Sequence, residues 1–130
     1  MPDETNIDYL REVDFDALNA TPVAERFSQR LIDGDSGGTA AMVVFIRTPP
    51  QGGSPAGMHV HDFDQHFYIL SGTMSLDVNG TEFQAGAGSL VYFPTGVPHR
   101  NWNQGSEPTV HLAINAPLPD PDKPIGRRVG

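Results

Sequence analysis

Residues 52–72 read GGSPAGMHVHDFDQHFYILSG, and the spacing of their polar groups sets how the rest of the chain is read. His59 and His61 are one residue apart. On an extended strand, side chains alternate between faces, so both imidazoles project from one side. Three residues later comes Gln65, and with it an alternating run, QHFYIL, in which Gln65, Phe67 and Ile69 share one face and His66, Tyr68 and Leu70 the other. Two imidazoles side by side are unusual as packing, and imidazole is the commonest metal ligand among side chains. The stretch therefore raises the question of what the two imidazoles hold, and why the next polar group on that face is a neutral amide.

Working outward, the flanking sequence predicts further short strands. RFSQRLI (26–32) and AAMVVFIR (40–47) read as two strands around the turn DGDSGG, and TPPQGGSPAG (48–57) as a loop whose prolines block regular pairing. TMSLDV-NG-TEF (73–83) predicts a tight type I′ hairpin at Asn79-Gly80, with Leu76 opposite Phe83 and Asp77 opposite Glu82. SLVYF (89–93) and TVHLAIN (109–115) complete the set. Evenly spaced short strands with little room for helix predict an all-β sandwich or barrel. VDFDALNA (13–20) fits either a short helical turn or an extended arm. The segment 116–130, APLPDPDKPIGRRVG, is too proline-rich for a helix or central strand and is expected to drape or fray.

Composition narrows the function classes. The 130 residues carry a net charge of −8, which argues against a nucleic-acid partner and against a highly anionic ligand. There is no cysteine, so neither disulfides nor thiolate metal sites are available. No apolar run approaches membrane-spanning length, and the acidic start MPDETNIDYLREVD lacks the apolar core of a signal peptide. These features lead to the expectation of a cytoplasmic protein with no membrane partner.

Two glycine-framed segments carry a more specific pattern. The first runs Gly53, five residues, His59, one, His61, three, Gln65, six, Gly72; the second runs Gly88, five, Pro94, one, Gly96, two, His99, three, Asn103. Together, over about residues 38–115, they resemble the two motifs of the cupin superfamily, with Gln65 where that family usually has Glu. The resemblance implies an antiparallel jelly-roll β-barrel spanning 26–116, preceded by an N-terminal arm (1–25) and followed by a proline-rich C-terminal tail (117–130). It also implies one divalent metal ion held by His59, His61, Gln65 and His99. Zinc is favoured, with iron, nickel and manganese as alternatives, since converging neutral histidines form a transition-metal set.

His66 follows Gln65 directly and points to the opposite face, which removes it from the set. His111 depends on register. A hairpin centred on Gly105 would put it opposite His99 as a candidate fifth ligand or pocket residue, and a one-residue slip would turn it away. Phe45, Phe67, Phe93 and Trp102 are the candidate substrate-pocket residues, although aromatic residues at strand spacing more often form plain core. Arg47 and Arg100 are the cations noted on these strands, and exposure is the expectation for both. Asp62 and Asp64, in the loop between the ligands, are expected to be solvated.

Gln65 bears on the chemistry. A neutral amide leaves a divalent ion its full charge, which makes it a stronger electrophile toward a carbonyl or enolate oxygen. Some cupins of aromatic polyketide biosynthesis are zinc cyclases with histidine and glutamine ligands. The first expectation is thus a metal-dependent enzyme using Lewis acidity on a small carbonyl or phenolic molecule, as a cyclase or isomerase. An iron dioxygenase of a diketone or enol, and a non-catalytic cupin that binds a small ligand or metal, are the alternatives. No catalytic acid or base is identified. A homodimer is expected, because the strand at 26–32 would leave an open edge and His66, Tyr68 and Leu70 would need cover.

Overall fold

The computed structural model describes residues 9–20, 25–35, 40–53, 57–120 and 122–129. Among these residues a short helix, α1 (Phe15–Asn19), precedes ten strands: β1 (Phe27–Ile32), β2 (Met42–Thr48), β3 (Met58–Val60), β4 (Asp64–Ser71), β5 (Thr73–Val78), β6 (Thr81–Gly86), β7 (Leu90–Phe93), β8 (His99–Trp102), β9 (Thr109–Ala116) and β10 (Arg127–Val129). They form two five-stranded sheets, ordered β1-β2-β9-β4-β7 and β10-β3-β8-β5-β6. Every strand pairing is antiparallel. This is the expected jelly-roll barrel, and no described helix is long and apolar enough to cross a membrane.

The period-two pattern accounts for the core. In β4, Gln65, Phe67 and Ile69 are buried while Asp64, His66 and Tyr68 are exposed; in β7, Val91 and Phe93 are buried while Leu90 and Tyr92 are exposed. The inward residues of both sheets, including Val44, Ile46, Phe67, Ile69, Met74, Leu76 and Phe93, form one apolar cluster. The β5–β6 hairpin turns at Asn79 (φ 52°) and Gly80 (φ 92°), with Leu76 opposite Phe83 and Asp77 opposite Glu82 as expected. Gly72 has φ 79°, and a Cβ there would meet the Pro108 carbonyl oxygen at 2.5 Å, so the end of the first motif requires glycine.

The hairpin centred on Gly105 does not form. β8 pairs with β3 and β5 in one sheet, whereas β9 pairs with β2 and β4 in the other. The intervening residues cross between sheets, held by Asn103. Its Nδ2 donates to the carbonyls of Thr48 (3.2 Å) and Glu107 (2.7 Å), and its Oδ1 accepts from Gly105 N–H (3.0 Å). His99 and His111 are therefore not ladder partners.

Segment 13–20 contains helix rather than an extended arm: Asp14 caps α1, its Oδ1 accepting from Ala17 N–H at 3.0 Å. Phe15 of this helix and Phe27 of β1 pack on Phe45, at ring-centroid distances of 5.9 and 6.2 Å. Arg47 is buried, not exposed. Its guanidinium donates to the carbonyls of Leu18 and Asn19 at the C-terminal end of α1. Arg100 lies over the Trp102 ring at 4.5 Å.

The end of the chain does not simply trail away. Arg127–Val129 adds to the edge of β3, with Arg128 opposite His59, and carries the preceding Ile125 and Gly126 against the site.

Candidate metal centre

β3, the turn after it and β8 bring three histidines together. His59 and His99 are direct partners across the β3–β8 ladder. His61 follows on the same side, with ring centroids 5.2 Å from His59 and 5.0 Å from His99; the His59–His99 separation is 4.5 Å. Each offers one ring nitrogen to a group whose members lie within 4.8 Å of one another.

Second contacts set which nitrogen is offered. His61 Nδ1 lies 2.8 Å from the Ile125 carbonyl and His99 Nδ1 lies 3.0 Å from the Val97 carbonyl. A carbonyl only accepts, so the proton sits on Nδ1 in both rings and each Nε2 keeps a bare lone pair. His99 Nε2 is buried and without a hydrogen-bond partner among the described residues. A buried acceptor with nothing to accept from is costly, and a metal ion at the shared focus would satisfy it. His99 is held flat against Phe93, centroids 3.9 Å apart and planes 2° from parallel. His61 stacks on Phe63 and is backed by Gly126, where a Cβ would meet the His61 ring at 2.9 Å.

The electrostatics agree with a ligand set. Burial pushes His59 down to about 4, and the adjacent His61 and Arg26 add to the effect. Burial likewise lowers His99 to about 4, opposed by the Val97 carbonyl. His61 is lowered by burial too, against the Ile125 carbonyl, the Gln65 side chain and the Asp62 charge. All three rings are thus neutral at neutral pH, the state in which imidazole coordinates.

Gln65 is buried beside them on β4, and its Nε2 donates to Asn115 Oδ1 at 2.9 Å. With the amide nitrogen engaged by β9, the Gln65 side chain is held close to His61, whose pKa it raises against the effect of burial. Asn115 escaped the sequence reading. Its signal was a polar residue in TVHLAIN on the same face as Ala113 and His111.

A cavity of about 540 Å³ opens over the centre, lined by His59, His61, Gln65, Asn101 and Asn115 and by the apolar Met42, Val44, Ile46, Met58 and Phe67. Of the candidate pocket residues, Phe67 lines it. Phe45 does not, because it lies on the outer side of β2 beneath α1; Phe93 backs His99; and Trp102 bonds Gln104 and stacks with Arg100. His111 is fully buried against Phe67 at 4.3 Å, and lies outside the three-histidine group and the cavity lining. Burial pushes it to about 3. His66 is exposed beside Tyr92. Asp64 is exposed as expected but pins the second motif's turn, accepting from Thr95 N–H (2.8 Å) and Oγ1 (2.9 Å), which lowers its pKa. Asp62 makes a long, exposed ion pair with Arg127 at 3.9 Å.

Residues 44–115 match the family model of the cupin domain. Among solved structures, the polyketide cyclase RemF from Streptomyces resistomycificus is similar with a TM-score of 0.70 and 24% identity, over 82% of this chain and 72% of that one. TT1209 from Thermus thermophilus gives 0.71 and 21%, over 85% of this chain and 100% of that one. A putative sugar phosphate isomerase from Acidithiobacillus ferrooxidans gives 0.62 and 28%, over 72% and 60%. No curated protein matches the chain.

Proposed function

The chain belongs to the cupin domain family, and on that premise we propose that it is a metal-dependent enzyme that enolises, cyclises or isomerises a small carbonyl compound without redox change. The observation that carries this reading is the neutral donor set: three histidines whose free nitrogens converge, joined by an amide where a carboxylate would cancel charge. A divalent ion at that focus, zinc in this proposal, supplies Lewis acidity toward a carbonyl or enolate oxygen. His59, His61 and His99 would hold it, with Gln65 as the fourth ligand. Ile125 and Val97 keep the ring protons away from it, and Asn115 keeps Gln65 in place.

No carboxylate among the described residues lines the cavity. The chain therefore offers no obvious strong base for an unactivated carbon acid. A 1,3-dicarbonyl, whose central carbon already gives up a proton readily, suits such a site. Met42, Val44, Ile46 and Phe67 give its carbon skeleton an apolar wall, and the similarity to a polyketide cyclase fold is consistent with that substrate type.

The test is hydrogen–deuterium exchange at the central carbon of a simple 1,3-dicarbonyl, followed by NMR with zinc-loaded protein. Catalysed exchange that disappears in the His59→Ala, His61→Ala double variant is expected. Dioxygen consumption with oxidative cleavage by iron-loaded protein, and no exchange with zinc, would replace this reading by the oxygenase one.

A further inference from the structure

The cavity has a second chemical character. The chain holds eight Lys and Arg residues against sixteen Asp and Glu, yet four of those eight, Arg26, Arg30, Arg127 and Arg128, line this one cavity, and no described acidic residue does. The placement follows from strand phase. Arg26, Ser28 and Arg30 alternate along the β1 segment and all three line the cavity, while Ser28 and Arg30 stand opposite Ile46 and Val44 on β2. Arg128 is the ladder partner of His59, which is in turn the partner of His99, so the three side chains form a row on one face across β10, β3 and β8. Among the described residues, Arg26, Arg30 and Arg128 have no carboxylate partner, and of the four only Arg127 has an ion pair.

Arg26 is exposed to solvent where it lines the cavity. Its positive charge bears on both His59 of one sheet and His111 of the other. A cation at the rim of an apolar cavity, with no carboxylate partner among the described residues, is placed to meet an anionic ligand whose apolar body enters the cavity. Arginine presents a planar fork that matches a carboxylate in two parallel hydrogen bonds.

We propose that the cavity selects small organic acids, the carboxylate held at the mouth by Arg26 and Arg128 and the apolar body lying against Val44, Ile46 and Phe67. A monoanion is favoured over a phosphate dianion because the protein's net charge of −8 repels approaching negative charge in proportion. The arrangement leaves a carbonyl elsewhere on the ligand free to face the histidines. This inference names the substrate class for the carbonyl chemistry proposed above and rests on that reading, but its test uses binding rather than turnover.

The probes are 2-naphthoate and 2-naphthamide, which share a body and differ in charge. Each is titrated calorimetrically into zinc-loaded and chelator-stripped protein, with the metal content of every sample measured. Naphthoate should bind both forms and naphthamide about a hundredfold more weakly, the loss of two charge-assisted pairs at about tenfold each. Arg26→Gln and Arg128→Gln should each weaken naphthoate by about tenfold, the loss of one pair, and leave naphthamide unchanged. Arg100→Gln, outside the cavity, should change neither. Equal binding of acid and amide, or indifference of naphthoate to both cavity substitutions, overturns the proposal. Naphthoate binding confined to zinc-loaded protein and unaffected by the arginines also overturns it, by placing the carboxylate on the metal. If the samples take up no zinc yet naphthoate shows the expected arginine dependence, the metal reading fails and this one stands.

Discussion

Gln65 and Asn115 are ladder partners across β4 and β9, and the Gln65 amide nitrogen donates to Asn115 Oδ1 at 2.9 Å inside the barrel. One hydrogen bond thereby couples this amide to the neighbouring strand and fixes which end of it faces the histidines. Residues that orient a ligand commonly change metal affinity nearly as much as the ligand itself.

Asn115→Leu removes that acceptor and frees Gln65 to rotate. Metal affinity should fall by about 10–100-fold while the three histidines remain in place. Competition with a chromophoric chelator measures it, and an unchanged affinity would show that the Gln65 orientation is immaterial to binding.

Gln65→Glu restores a negative charge at the same position. Asn115 can turn its amide to donate to the new carboxylate, so the change is sterically mild. Metal affinity should rise and Lewis-acid turnover should fall, because the added charge attracts the ion and reduces its pull on a substrate oxygen. The two effects have opposite signs. A loss of affinity accompanied by a lower unfolding temperature of the metal-free form would mean a buried charge without a metal bond, and Gln65 would leave the ligand set.

Gly126→Val should displace His61. Even the first carbon of the new side chain would stand 2.9 Å from the His61 ring, and β10 tethers the backbone. Weaker metal binding is expected, with the barrel otherwise intact. Unaltered His61 NMR signals in the variant would contradict it.

Acid should destabilise the metal-free protein over a defined window. His59 and His99 sit at about 4 and His111 at about 3 in the fold, against about 6.5 in the unfolded chain. Between those values the unfolded chain binds more protons than the folded one. Stability is therefore fully present above pH ~6.5 and is lost as pH falls toward ~4, at up to about 1.4 kcal/mol per unit for each such group. His111→Leu removes the most enclosed contributor, whose two ring nitrogens have no partner among the described residues. It should shift the acid-unfolding midpoint, followed by circular dichroism, to lower pH without altering metal stoichiometry.

Much of the barrel was legible because it rests on local rules. The alternation in QHFYIL places Gln65 inside and His66 outside, and Asn79-Gly80 sets the hairpin register by its backbone preference alone. The three-histidine cluster was legible because His59 and His61 share a face and the motif spacing supplies His99. What escaped depends on which strands become neighbours. The β8–β9 connection has the length and turn residues of a hairpin, yet Asn103 ties it across to Thr48 and sends β9 to the other sheet. Arg47 gives no sign of burial until α1 is laid over β2. Arg26, Arg30 and Arg128 give no sign of sharing one cavity until β1 and β10 are set on its two sides. Asn115 acquires a role only when β9 is set beside β4.

Convergence of His59, His61 and His99 on a metal ion underlies the proposed function. It is tested most directly by elemental analysis of protein purified without chelators or a metal-affinity tag, beside the His59→Ala, His61→Ala double variant. Close to one divalent ion per chain is expected, zinc foremost, with its loss in a double variant that still gives the β-sheet circular dichroism spectrum. A metal-free wild-type protein that also fails to take up zinc, or a double variant that keeps wild-type occupancy, would contradict it.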